Sequence, residues 1–265
     1  MTTYLLFFAA AIVAGAINAL GGGGGLITFT LLALVLPPVI ADATSALALV
    51  AGYPAAVWGA RAELAPVVHS RWLWMLLVPS LLGGLLGALL LSLSDTRNFT
   101  TLVPWLVLGG TLTILLRPIL TRRSSSRPQQ PEGISRAMWS VAVVIIFVVA
   151  LYGGYFGAGI GILMIGALSL LGLGDIRRVV AVKNLLTGCL RGVAVVALII
   201  EGTVNWGYGL PMALGGLIGG YLGGRVSHRA NRNFVRGLVI ALGFGVAAYY
   251  FWRLYGSSIM HVAGE

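Results

Sequence analysis

Charged side chains make up only 9% of this sequence, and acids are the scarcest of them, seven against seventeen Lys and Arg. Six of the seven carboxylates fall in connections, segment ends or the tail, and only Asp42 begins an apolar block. The three histidines, His69, His228 and His261, are peripheral too, so a side-chain proton relay inside the protein has few members to draw on. The single cysteine, Cys189, excludes an intramolecular disulfide and any thiolate-clustered metal site. No Walker sequence, no nucleophile and base pair and no metal cluster stands out, which argues against ATP hydrolysis and against an enzyme. No cofactor or metal is expected. Strands of alternating polarity are also missing, which excludes a barrel.

Apolar sequence is what the chain has in excess. It is 58% hydrophobic with a mean hydropathy of +0.98. Blocks such as Leu73 to Leu91, Val179 to Ile200 and Phe234 to Trp252 are each long enough to cross a hydrocarbon layer of about 30 Å as a helix. The reading is an all-α, polytopic membrane protein. A formal charge of +10 does not point to nucleic acid, because the arginines lie in short connections between apolar blocks, where they set topology and meet lipid headgroups. The first block, Tyr4 to Leu20, lacks a basic leader and a cleavage site and reads as mature sequence.

Gly21 to Gly25 interrupt the first apolar segment, and Gly157, Gly159 and Gly161 interrupt a later one. Each glycine inside a helix costs about 1 kcal/mol relative to alanine, so a run of five breaks the helix. In lipid, unwound backbone is tolerated only when buried in protein or lining a polar cavity, which makes each break a candidate binding site. Close helix packing is the other reading of such small residues. Neither Tyr4 to Leu20 nor Leu26 to Leu36 is a comfortable full span, and Pro37-Pro38 is expected to end the second piece.

The two breaks are parts of a repeat. Gly154 to Met164 aligns with Asn18 to Thr28 at an offset of 136, and Gly219, Gly220 and Gly223 match Gly83, Gly84 and Gly87 at the same offset. We read residues 1–116 as a first membrane repeat, 117–136 as a cytoplasmic basic linker with five arginines, and 137–265 as a second repeat. Four arginines between Arg225 and Arg236, against a nearly neutral Ser92 to Asn98, favour inverted repeats with the site near the midplane.

Lys183 is the only lysine, inside an apolar block that runs to Ile200. At about 100° per residue, Lys183, Asn184, Thr187, Gly188 and Arg191 share one wedge of roughly 140°. Two cations, an amide and a hydroxyl beside a glycine break form a candidate anion site. Lys183 snorkelling to headgroups beside Arg177 and Arg178 is the alternative. Asp42, Thr44 and Ser45, on a helix expected from Ala41 to Ala60, are either site residues or helix caps.

The pattern INALGGGGGLITF followed by LPPVIADATSAL, with GGYFGAGIGILMIGALSLLGL followed by VAVKNLL in the second half, resembles the TauE/SafE sulfite exporter family over essentially the whole chain. The resemblance implies a bacterial inner-membrane permease for sulfite, sulfonates or related anions. It places the family's glycine motif on Gly22, Gly23, Gly24 and Gly25 and on Gly157, Gly159 and Gly161, and its polar motif on Lys183-Asn184. Members often have Thr-Asn-Lys where this chain has Thr44-Ser45-Ala46, which shifts the expected site towards Lys183 and Arg191. The expected function is outward transport of a sulfur oxyanion, sulfite first, by alternating access. A passive anion channel and a carrier of another organic anion such as a sulfonate are the alternatives, and self-association is left open. A cytoplasm-negative potential drives an anion outward without a coupled ion.

Overall fold

The computed structural model describes residues 2–20, 22–122, 135–169, 176–226, 237, 240–241 and 243–253. Among these, the regular elements are all helices: α1 (Thr2–Leu20), α2 (Gly24–Ala33), α3 (Pro38–Val50), α4 (Gly52–Gly59), α5 (Arg61–Leu64), α6 (Arg71–Ser92), α7 (Thr96–Arg122), α8 (Arg136–Tyr155), α9 (Ile160–Ser169), α10 (Ile176–Ile200) and α11 (Trp206–Val226). Residues 243–253 are helical as well. Gly21, residues 123–134 of the basic linker and the arginine-rich stretch 227–236 lie outside the described residues.

Local chemistry explains the boundaries. Gly22 and Gly23 separate α1 from α2 with φ of 91° and 101°, a region that L side chains enter only with strain. The prolines act differently from the sequence expectation: α2 already ends at Ala33, and Pro37-Pro38 start α3, with Pro38 in its first turn. That position suits proline, whose missing N–H would have no intrahelical partner there. The helix expected from Ala41 to Ala60 is divided at Ala51, because Pro54 has no N–H to offer the carbonyl of Val50. Ala51 keeps φ −60° and ψ −26°, so the chain continues in helical geometry across the division.

Five stretches among the described residues are long and apolar enough to cross a membrane: Thr3–Leu20, Pro38–Gly59, Arg71–Ser92, Met138–Tyr155 and Arg177–Ile200. The first corrects the expectation that neither piece beside the glycine run makes a full span; α2, with ten residues, remains short. Side chains are sorted for lipid. On α6, Trp74, Val78, Leu82, Leu86 and Leu90 recur every fourth residue and are exposed, while Gly83, Gly84 and Gly87 are buried. Polar residues go the other way, with Asn18, Thr28, Asp42, Lys183 and Arg191 all buried.

The glycines that recur at this offset are packing surfaces between helices distant in the chain. α1 lies chiefly against the glycine-bearing α11, and α8 chiefly against the glycine-bearing α6. A β-carbon at Gly83 would stand 2.6 Å from the Phe147 carbonyl oxygen, and one at Gly223 would stand 2.6 Å from that of Ala16. Side chains would separate these helices, and the backbone contact is what small residues provide in membranes, where lipid offers no hydrophobic drive for helices to associate. α10 runs beside α6, α9, α3 and α4 and brings the polar stripe into the middle of the bundle.

Candidate functional site

The two glycine breaks meet. Gly22 N–H donates to the Ile17 carbonyl at 3.2 Å, and Gly157 N–H donates to that of Tyr152 at 3.1 Å, so α1 and α8 end with the same six-residue closure. Gly157 and Gly159 also have positive φ, 69° and 77°. A β-carbon at Gly22 would lie 2.6 Å from the α-carbon of Gly161, and one at Gly25 would lie 3.7 Å from that of Ala158. Gly22 therefore meets Gly161, and Gly25 meets Gly157 and Ala158, as bare backbone, while Gly24 rests on Ala14 of α1, Gly157 on Arg191 and Gly159 on Gly110 of α7.

α10 carries the cations to this junction. Lys183, Asn184, Thr187 and Arg191 are all buried, Lys183 and Thr187 with no exposed surface. Lys183 thus does not snorkel. Its Nζ donates to the Asn18 carbonyl at 2.8 Å, and Asn184 Nδ2 donates to that of Ala19 at 3.3 Å. With Gly22 N–H on Ile17, three consecutive carbonyls of the last turn of α1 have partners. Arg191 does the same for α8: Nη2 donates to the carbonyl of Phe156, the C-cap residue, at 3.1 Å. Its guanidinium occupies the space that a β-carbon on Gly157 would take. Cations at helix C-termini are favoured by the negative end of the dipole, so one face of α10 holds both broken helices at their ends.

Asp42, Thr44 and Ser45 are not caps, since α3 begins at Pro38 with Pro37 as its N-cap residue and no side-chain cap bond. Thr44 Oγ1 accepts from the backbone N–H of Asn205, just before α11, at 3.0 Å. Ser45 Oγ pairs with Thr28 Oγ1 of α2 at 2.6 Å. Asp42 is only 2% exposed and lies within the electrostatic reach of Arg191. Two participants escaped the sequence reading: Asn18, whose Nδ2 donates to Tyr53 Oη at 2.9 Å, and Tyr152, whose hydroxyl donates to the carbonyl of Ala158 at 2.7 Å. Asn18 could have been found as the polar residue in the last turn before the glycine run.

Among the described residues, four buried side-chain atoms have no hydrogen-bond partner: Asp42 Oδ2, Asn184 Oδ1, Thr187 Oγ1 and Arg191 Nη1. Leaving such an atom unpaired costs about 1–3 kcal/mol; three of the four stand on the polar face of α10 and the fourth on α3, which packs against it.

The family model of the sulfite exporter TauE/SafE matches residues 7–250 of this sequence. The chain belongs to the TauE/SafE family. It is 27% identical over 246 residues to a probable membrane transporter protein of Haemophilus influenzae, covering 92% of each chain. It is 25% identical over 264 residues to the probable membrane transporter protein YfcA of Escherichia coli K12, covering 98% of this chain and 93% of that one. No solved structure matches. A TauE/SafE chain with apolar spans of this length, its polar residues turned inward, is a multi-pass membrane transporter. In this TauE/SafE member, the structure brings Gly22, Gly25, Gly157, Gly161, Lys183, Asn184 and Arg191 to one junction. Thr44 and Ser45 bond to neighbouring elements instead.

Proposed function

We propose that this transporter exports a small sulfur-containing oxyanion, sulfite first among the candidates, across the bacterial inner membrane by alternating access between two inverted halves. The observation that carries the reading is the buried stripe of Lys183, Asn184, Thr187 and Arg191 beside two abutting glycine breaks. A buried cation is retained at a cost unless it is paired or has work to do, and an anionic solute is the complementary partner. Gly22 to Gly25, Gly157, Gly159 and Gly161 contribute backbone, which approaches a small anion more closely than any side chain allows.

Motion is supported by how the halves meet. Their contacts include backbone-on-backbone packing at Gly83, Gly87, Gly219 and Gly223. Such surfaces lack interlocking side chains and permit sliding or rocking. With the cytoplasm negative, each exported charge is driven by about 2.3 kcal/mol per 100 mV.

The test is uptake of labelled sulfite into liposomes holding the purified protein, with an inside-positive potential and competition by thiosulfate and a sulfonate. Saturable, potential-driven sulfite flux supports the reading. Flux that never saturates and shows unitary conductance makes the protein a channel; preference for a sulfonate moves the substrate assignment; no flux with any of these anions removes it.

A further inference from the structure

We propose that Phe29, Phe99 and Phe156 form a gate that closes the anion site towards the α6–α7 connection, and that Arg191 latches this gate through the carbonyl of Phe156. This rests on the proposed anion transport and supplies one of the two closures that alternating access needs.

The three rings come from α2, α7 and the joint after α8, and all are fully buried. Phe29 meets Phe156 edge to face with 5.0 Å between centroids, and Phe99 stands 6.2 Å from Phe156. Tyr155 closes on Phe99 at 5.7 Å, and its hydroxyl pairs with Ser94 Oγ at 3.2 Å. Ring contacts of this kind exclude water, yet each carries little energy, so they seal and still separate.

Position gives the cluster its role. α6 and α8 run the same way, since Gly83 lies on Phe147 and Gly87 on Leu151, so α8 ends beside the end of α6. The connection that follows is at the surface, with Asp95 to Asn98 all exposed. Phe99, the next residue, has no exposed surface. From that surface inward, Phe99 packs on Phe156 and Phe156 holds Arg191, whose helix carries Thr187 and Asn184 one and two turns earlier. α7 leads away over 27 residues to Arg122, about 40 Å, so the cluster and the basic linker lie at opposite ends. With that linker read as cytoplasmic, this is the outer gate.

Phe156 also has the backbone of a pivot. It follows α8 with φ −135° and ψ −48°, outside the helical region, and Gly157 after it has φ 69°. Its ring belongs to the seal, while its carbonyl accepts from Arg191 Nη2 at 3.1 Å. Arg191 Nη1 has no hydrogen-bond partner. An anion bound there competes for the guanidinium and loosens the carbonyl that fixes the ring. Phe29 has room to follow, because Thr30, Ala33 and Leu34 beside it line a recess of about 190 Å³ against Gly245, Val246 and Tyr249.

The experiment uses the full-length protein in native membranes, with Cys189→Ser removing the one native thiol and Thr187→Cys placing a reporter in the site. The probe is an impermeant, sulfonate-bearing methanethiosulfonate reagent applied to each face of the membrane in turn. A separate Asp95→Cys protein identifies the face that carries the α6–α7 connection. From that face the Thr187→Cys reporter should react at least about 10-fold more slowly than Asp95→Cys, and adding Phe99→Ala should raise its rate at least about 10-fold. Arg191→Gln should raise it too, although losing a cation weakens the attraction of the anionic reagent. From the opposite face Phe99→Ala should leave the rate unchanged.

A reporter that labels as fast as Asp95→Cys overturns the gate, as does a Phe99→Ala rate that is unchanged or raised equally from both faces. No rise in Arg191→Gln overturns the latch. Phe29→Leu serves where Phe99→Ala does not fold: it thins the contact with Phe156 and should raise the same rate at least about 3-fold, and no rise overturns the gate. Labelling needs no transported solute, so absent sulfite flux sinks the transport reading alone, and a failed labelling pattern sinks this inference alone.

Discussion

Lys183 Nζ stands 2.8 Å from the carbonyl oxygen of Asn18, although 165 residues separate them in the chain. The one lysine of the sequence, on α10, therefore holds the broken end of α1. Binding and conformational change would meet in this contact, because a solute that draws on Lys183 also loosens the end of α1.

Lys183→Met should lower thermal stability in detergent by about 1–3 kcal/mol, since a similar volume is kept while a buried carbonyl loses its charged donor. Apparent affinity for the transported anion should fall at least about tenfold. Unchanged affinity alongside a lowered melting temperature would make Lys183 a structural clamp only.

Gly157→Ala combines two effects. Its φ of 69° costs a residue with a side chain about 1 kcal/mol, and the new methyl displaces the Arg191 guanidinium. The expected result is a raised KM with the protein still folded. If KM and melting temperature both stay at wild-type values, Arg191 has no binding role that depends on this position.

Gly24 and Gly25 are neighbours with opposite expectations. A β-carbon at Gly24 would run into the carbonyl of Ala14, whereas at Gly25 it would make ordinary contacts at 3.7 Å with Ala158 and Leu49. Gly24→Ala should abolish folded, active protein. Gly25→Ala should keep the fold and gain up to about 1 kcal/mol from helix propensity, so any loss of transport in it reports on the site and not on stability. Parallel melting curves and flux measurements separate the two.

The Thr28–Ser45 hydroxyl pair, 2.6 Å apart, ties α2 to α3. In a double-mutant cycle with Thr28→Val and Ser45→Ala the coupling should be about 1 kcal/mol. Additive single effects would mean that the two hydroxyls do not act together.

Much of the site was legible because its signals are local. A glycine run breaks a helix wherever it occurs, and the period of a helix puts Asn184, Thr187 and Arg191 on one face whatever surrounds them. Asp42, Thr44 and Ser45 were harder: an oxygen-bearing cluster near a helix start reads as a cap, and only the true start at Pro38, four or more residues earlier, removes that role. Asn18 carried a local sign as the polar residue before the glycine run; Tyr53 and Tyr152 escaped because neither is unusual alone, and the Asn18–Tyr53 bond exists only once α1 and α4 are side by side.

By itself the sequence determined that this chain is a helical membrane protein with two glycine breaks, a repeat of glycine motifs and one polar helix face. Apolar length, glycine entropy and helical period each act within a few turns of chain. Tertiary structure alone decided that the breaks touch, that Lys183 and Arg191 bind the carbonyl ends of α1 and α8, and that Asp42 is buried within reach of Arg191. Those relations depend on how helices distant in sequence cross, and a backbone carbonyl, identical at every residue, gives no sign in the sequence of which side chain will reach it.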